Sequence, residues 1–283
     1  MNDQLTRVQT FQALHRRPVP FVIPNPWDPG TARILATLGF HALATTSLGV
    51  ANMLGRTQVT REDVIDNVRQ IVEATDLPVS ADLENGFADA PRAAAETIRL
   101  AAEAGAVGGS IEDATGDPRA PLYELSLALE RVQAAVETAR ALPVPFVLTA
   151  RTETLLFEQG GLDETIRRLQ AFESAGADVL YAPGLRNLEA IRAVVSAVRT
   201  PVNVVMGFAD PSITLEALAE AGVRRVSVGG ALSRVALAAV TDAAREMCGP
   251  GGFTFVRRMA PIAELRAAFS TGARTNAART VLG

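Results

Sequence analysis

The chain has 283 residues, 48% of them apolar, and a formal net charge of −4, which suits one large α/β core and gives no basic stripe for nucleic acid. All 27 basic residues are arginine, so Schiff-base aldolase, pyridoxal phosphate and lysine-bearing P-loop chemistry are excluded. A single cysteine, Cys248, excludes an internal disulfide and any multi-cysteine metal site.

The first fifteen residues, MNDQLTRVQTFQALH, read as a helix without the basic start and apolar stretch of a secretory signal. No apolar run is long enough to span a bilayer, so a cytoplasmic protein with no membrane partner is expected. A first strand falls at 21–24. The loop NPWDPGTAR follows it, where Asp28 before Pro29 suits either a helix cap or a functional role.

Gly39 then ends a helical stretch and precedes the apolar run FHALATTS. The same unit recurs at Gly105, Gly176 and Gly222, each a helix C′ glycine followed by a buried strand. Further strands are predicted at 78–81, 145–150 and 201–205. Between the strands lie amphipathic helices at 60–74, 89–104, 128–142, 162–175, 188–198 and 212–221. Thr60 ahead of Glu62 and Asp63, and Asp89 ahead of Pro91, read as helix starts. After the last strand, 232–247 and 253–269 read as helices separated by GPGG.

Eight strands alternating with helices over about 250 residues predict an α/β TIM (β/α)8 barrel with additional C-terminal helices. The doubly wound open sheet is the alternative, but no G-x-G-x-x-G follows the first strand. The chain reads as a single barrel domain over 1–283. Its segment 249–283 is a C-terminal extension expected to pack on a neighbouring subunit.

Barrel enzymes place their chemistry at the C-terminal strand ends. Those ends carry Asn25, Trp27 and Asp28; Thr46, Ser47 and Leu48; Asp82 and Glu84; Glu112 and Asp113; Arg151 and Glu153; Tyr181; Asn203; and Ser227. Carboxylates converging in a small volume need protons or a divalent cation, and Asp82, Glu84 and Glu112 point to a hard, oxygen-liking ion such as Mg²⁺. Arg151, closing the strand PFVLTAR, offers a bidentate fork for a carboxylate or an ion pair with Glu153 or Glu112. Thr46 and Ser47 suit a substrate carboxylate. His15, His41 and Cys248 fall away from the mouth, which leaves Tyr123, Tyr181, the carboxylates or metal-bound water for proton transfer.

The ordered set NPWDPGTAR, TTSLGVANMLG, DLENGF, GGSIED, ARTET and PVNVV is similar to the isocitrate lyase/phosphoenolpyruvate mutase superfamily, over roughly 20–247. The resemblance implies a modified TIM barrel with a swapped eighth helix, usually a tetramer, and Mg²⁺ under a bound 2-oxo acid or its enolate. Asp82 resembles the direct metal ligand, while Glu84 and Glu112 resemble acids that hold the ion partly through water. Thr46, Ser47 and Leu48 resemble the carboxylate cradle, and Arg151 resembles the arginine that clamps substrate. Family lyases carry a Lys-x-Cys-Gly-His loop after the fourth strand; here that loop is DATGDPRAPLYEL. The mutase's loop asparagine has no counterpart, Ala120 standing at about its place, and Thr57 stands near an acid that the mutase uses. After the sixth strand, Tyr181-Ala182-Pro183-Gly184 stands where the mutase has histidine and the lyases glutamate.

The expected activity is that of a Mg²⁺-dependent lyase-type enzyme acting on a C–C bond of a 2-oxo or 2-hydroxy di- or tricarboxylate through an enolate. Arg151, Glu112 and Tyr123 are the expected catalytic groups, Tyr123 as proton donor on a closing loop. Thr46, Ser47, Leu48, Trp27, Asp82, Arg151 and Asn203 are expected to bind substrate. The rivals are C–P chemistry on phosphonopyruvate or phosphoenolpyruvate, decarboxylation or hydrolysis of oxaloacetate, a phosphosugar barrel binding phosphate at 227–230, and a non-catalytic 2-oxo acid-binding barrel.

Overall fold

The computed structural model describes residues 2–207, 209–249 and 251–271. Eight parallel strands surround one axis: β1 (Phe21–Ile23), β2 (Leu43–Ala44), β3 (Val79–Asp82), β4 (Gly108–Glu112), β5 (Val147–Arg151), β6 (Val179–Tyr181), β7 (Val202–Val205) and β8 (Arg225–Ser227). The sheet order is β1-β8-β7-β6-β5-β4-β3-β2. The remaining seam, between β1 and β2, carries one backbone bond, Ala44 N–H to Pro24 O at 3.0 Å. The fold is therefore the predicted TIM-like barrel, nearly closed.

The helices are α1 (Asn2–His15), α2 (Pro29–Thr37), α3 (Ser47–Leu54), α4 (Arg61–Ala74), α5 (Pro91–Glu103), α6 (Leu125–Ala141), α7 (Gly161–Ser174), α8 (Leu188–Ala197), α9 (Leu215–Glu220), α10 (Ala231–Cys248) and α11 (Ile262–Thr271). Two of them, α3 and α4, share the β2–β3 crossover. Thr60 caps α4 in a capping box with Asp63, and Asp28 caps α2 in one with Thr31. Asp89 does not cap α5: the residue at that cap is Ala90, with no side-chain bond, and Asp89 accepts from Tyr123 instead. The repeated glycines behave as read, with φ of 86, 98, 95 and 83° at Gly39, Gly105, Gly176 and Gly222.

Ile98, Leu148, Leu169, Phe172 and Ile191, all fully buried, fill the layer between sheet and helices. Each contributes about 1.5–3 kcal/mol by leaving water. At the N-terminal end of the barrel, Val8, Phe11 and Leu14 of α1 pack on Phe21, Val147 and Val179. His15 belongs to this plug, with its ring edge-on to Phe11 and Phe21 at 4.7 and 5.0 Å. His41 is exposed, so neither histidine reaches the mouth.

Helix α10 leans on α3, where Asn52 donates to Ser233 at 2.9 Å, and leaves most of its length in solvent. Val235 and Val240 are each 66% exposed, an unusual condition for valine. Beyond it, Phe253, Met259 and Ile262 are exposed, and α11 lies against α2 of the same chain. The rest of the predicted C-terminal extension, 272–283, lies outside the described residues. No helix among the described residues is long and apolar enough to cross a membrane.

Candidate active site

Strand β3 delivers Asp82 to the mouth, and its neighbours fix it there. Its N–H donates to Thr45 Oγ1 at 2.9 Å, and its Oδ2 accepts from both the N–H and the hydroxyl of Ser47, each at 3.0 Å. The other oxygen, Oδ1, is buried without a hydrogen-bond partner among the described residues. A buried acceptor left unpaired in a protein interior calls for a ligand or water.

The turn after β3 is strained. Glu84 and Phe87 adopt left-handed conformations with φ of 46 and 58°, each costing about 1–3 kcal/mol. Gly86 lies between them because a Cβ there would come within 2.8 Å of Ala94 O. This explains the glycine of DLENGF and holds Glu84 at the mouth, where its backbone oxygen accepts from Glu112 N at 2.9 Å.

Arg151 ends β5 in the middle of the acids. Its Nε lies 3.2 Å from Glu112 Oε2 and hydrogen-bonds Glu153, and its Nη1 is 3.6 Å from Asp82 Oδ1. The guanidinium also faces the Tyr181 ring at 5.0 Å. Burial works to lower its pKa, yet Glu112, Glu153 and Asp82 hold it well above the ordinary value. Burial pushes Glu112 well above the usual carboxylate range; Arg151 opposes this, and Glu153, Asp82 and Glu84 reinforce it. Glu84 is raised by burial and by Asp82, against the Ser47 hydrogen bond and Arg151. Four carboxylates thus face one guanidinium. Asp113 is turned away: it accepts from Glu153 N, Thr152 Oγ1 and Arg168 Nη1 at 2.8, 2.7 and 3.0 Å, and so braces the loop.

A cavity of about 60 Å³ opens beside these groups and runs into the barrel, lined by Asp82, Arg151, Tyr181, Asn203, Arg225 and Ser227 among others. Asp82, Glu112 and Arg151 are therefore brought together as predicted, with Glu84 adjoining. The three cradle residues are placed differently from one another. Thr46 Oγ1 caps α3 by accepting from Gly49 N at 3.2 Å, Ser47 is committed to Asp82, and Leu48 packs at Gly230. Trp27 does not line the cavity; it packs on Gly49, where an added Cβ would lie 2.9 Å from Trp27 Cβ. Asn203 lies below the mouth, because β7 runs on to Val205; it donates to Ser227 and accepts from Arg225.

The structure does not bring Tyr123 to the cavity. Its hydroxyl donates to Asp89 at 2.6 Å, the Arg131 guanidinium covers its ring at 4.1 Å, and burial with the Asp89 bond pushes its pKa up to about 12. Its loop folds back on itself through an Ala114–Leu122 bridge. Thr45, Ser80, Ser110 and Arg225, all polar lining residues, escaped sequence reading. Arg225 was legible from Ser227, since residues two apart in a strand share a face.

Among the described residues, no three His, Cys, Asp or Glu side chains form a complete ligand set by themselves, because Arg151 stands between Asp82 and Glu112. The site still fits Mg²⁺ in the manner that ion prefers, one or two carboxylates with the remaining positions given to water or substrate. Asp82 Oδ1, which lacks a hydrogen-bond donor and has only the Arg151 charge at 3.6 Å, is the atom that fits it, and Glu84 and Glu112 would take part through water.

The family model for phosphoenolpyruvate phosphomutase matches residues 11–248. The chain is 30% identical to 2-methylisocitrate lyase of Escherichia coli (strain K12) over 76% of this chain and 75% of that protein. It is likewise 30% identical to oxaloacetate decarboxylase of Bradyrhizobium diazoefficiens, over 76% of each. Among solved structures, oxaloacetate acetylhydrolase in complex with the product oxalate superposes with a TM-score of 0.85 at 27% identity, over 99% of both chains.

Proposed function

The chain belongs to the phosphoenolpyruvate phosphomutase family, within an enzyme superfamily that includes lyases of carboxylate substrates, and we propose that it is a Mg²⁺-dependent lyase-type enzyme of this kind. The substrate is a 2-oxo or 2-hydroxy di- or tricarboxylate whose C–C bond breaks through an enolate. The observation that carries this reading is the surplus of buried carboxylates around Arg151, with Asp82 Oδ1 left without a hydrogen bond.

Asp82, with Glu84 and Glu112 through water, would hold Mg²⁺, which supplies Lewis-acid polarisation of the substrate's C2 oxygen. Arg151 orients the substrate carboxylate and offsets the negative charge that develops as the bond breaks. It can do so because Glu112, Glu153 and Tyr181 hold the guanidinium in place before substrate arrives. Glu112 is the mouth residue best suited to hold a proton, since burial keeps it protonated to higher pH than an exposed glutamate.

Hydrolysis or decarboxylation of oxaloacetate is the second reading. It is favoured by the position of Tyr123 on Asp89 and by a loop without cysteine or histidine, which leave no loop acid at the cavity for the standard lyase step. The relatives named oxaloacetate decarboxylase and oxaloacetate acetylhydrolase support it. The exposed valines of α10 support assembly with further copies of the chain; the homotetramer with that helix exchanged is what the family resemblance implies.

NMR-monitored turnover with Mg²⁺ separates these readings, on isocitrate, methylisocitrate, dimethylmalate, oxaloacetate and phosphonopyruvate, with Asp82→Ala as control. Cleavage of a malate- or isocitrate-type compound, lost in the control, supports the lyase. Oxalate and acetate from oxaloacetate identify a hydrolase, and pyruvate identifies a decarboxylase. Turnover of phosphonopyruvate alone would overturn both readings.

A further inference from the structure

The barrel holds a second buried arginine, and its surroundings are the reverse of Arg151's. Arg225, at the start of β8, is 5% exposed. Its Nε donates to Asn203 Oδ1 at 2.9 Å and its Nη2 to Thr149 Oγ1 at 3.1 Å, both neutral acceptors. Its Nη1 has no hydrogen-bond partner among the described residues, and the residue lines the cavity below the mouth. The titratable groups that face it are the Tyr181 phenol and the His15 imidazole. Neither supplies a negative charge, since burial holds the phenol protonated and the imidazole neutral.

A guanidinium does not neutralise itself by losing its proton at ordinary pH, so a buried one without a counter-charge is costly unless an anion joins it. Burial lowers the Arg225 pKa only to about 10, which leaves it charged. Asn25, Ser80, Ser110 and Ser227, polar but uncharged, line the same cavity. The floor of the cavity is therefore cationic while its mouth carries the acids.

We infer that Arg225 is a specificity-determining residue whose Nη1 receives the distal carboxylate of the substrate, the 2-oxo end being held at the mouth by Asp82 and Arg151. This deepens the proposed function and rests on it. Thr149, the Nη2 acceptor, precedes Arg151 by two residues on β5, a step of about 6.6 Å along a strand. A four-carbon diacid, with three C–C bonds of about 1.5 Å each, covers that step once a hydrogen bond is added. The geometry thus selects a compact dicarboxylate over a monocarboxylate.

Calorimetric titration in Mg²⁺ tests this with two ligands, oxalate, which reaches only the mouth, and 3,3-difluorooxaloacetate, which carries a distal carboxylate. In Arg225→Met the affinity for the four-carbon diacid is expected to fall about tenfold or more, the scale of one lost charge-assisted hydrogen bond, while oxalate affinity stays within about threefold. Asn203→Asp places a carboxylate beside the guanidinium and should give the same split, which keeps the test open if the methionine variant fails to fold. Equal losses for both ligands, or no loss for either, would overturn the inference. So would a chloride-dependent rise in Tm that needs Arg225 while diacid affinity does not, since the partner would then be a resident inorganic ion. If wild type binds no oxalate, the mouth assignment fails by itself. The floor is then read without Mg²⁺, from thermal protection by formate: protection present in wild type and absent in Arg225→Met supports a carboxylate site, and identical behaviour of the two proteins rejects it.

Discussion

The two ends of the barrel's polar interior solve opposite electrostatic problems. At the mouth, Asp82, Glu84, Glu112 and Glu153 crowd one arginine, Arg151. One layer below, Arg225 meets only the neutral oxygens of Asn203 and Thr149, above a plug of Phe11, His15 and Phe21. The contrast teaches that burial by itself does not decide a charged residue's role: the mouth has surplus negative charge for a cation, and the floor has surplus positive charge for an anion.

The largest expected effect is at the mouth. Arg151→Met strands three acids, so it should cost about 3–5 kcal/mol of stability near neutral pH and abolish detectable turnover. The stability cost should shrink as pH is lowered, because the acids can then take protons; denaturant unfolding at several pH values checks this. Arg225→Met should stay within about 1 kcal/mol of wild type, since relief from burying a charge offsets the hydrogen bonds lost at Asn203 and Thr149. Equal costs for the two variants would break the comparison.

Gly49→Ala tests the packing behind the mouth. The new Cβ would lie 2.5 Å from Thr46 Cγ2 and 2.9 Å from Trp27 Cβ, an overpacking worth about 1–3 kcal/mol. A lowered Tm together with weaker Mg²⁺-dependent oxalate binding is expected, because α3 carries Ser47, which orients Asp82.

The last contrast is in pH dependence, gradual over each pH unit, and its sign differs between the two ends. Burial, with the charge of Arg225 nearby, holds His15 down to about 3 from 6.5. Below pH 6.5 the unfolded chain therefore binds a proton that the folded one refuses, and stability falls with pH by up to about 1.4 kcal/mol per unit. His15→Gln should flatten that acid limb. Glu84 and Glu112 are raised, so the folded state keeps protons there that the unfolded state has lost, and stability falls as pH rises above the ordinary carboxylate range. Glu112→Gln should flatten that opposite slope.

Much of this architecture was readable in the chain. The four glycine-terminated helices announced the repeat, because each glycine takes a left-handed φ that other residues avoid. Asp82, Glu112 and Arg151 were legible because each closes an apolar strand run. Tyr123 was misplaced because its partner, Asp89, is 34 residues away in sequence, a tertiary pairing that local pattern does not encode. Asn203 was placed too high although its strand was read over 201–205: the strand does end at Val205, two residues beyond Asn203, so the residue belongs to the layer below the mouth. Arg225 hid beside Arg224, which turns outward to Pro18 O; alternation decides which of the two faces inward only once the register of β8 is known.

The central claim is that the mouth carboxylates form a Mg²⁺ site for a 2-oxo acid, and calorimetric titration of oxalate into the wild-type protein and Asp82→Asn, with and without Mg²⁺, tests it most directly. The account predicts oxalate binding that requires Mg²⁺ and falls about a hundredfold or more in the variant, as expected when the direct ligand is lost. Oxalate binding of equal strength without Mg²⁺, or unchanged in Asp82→Asn, would contradict it.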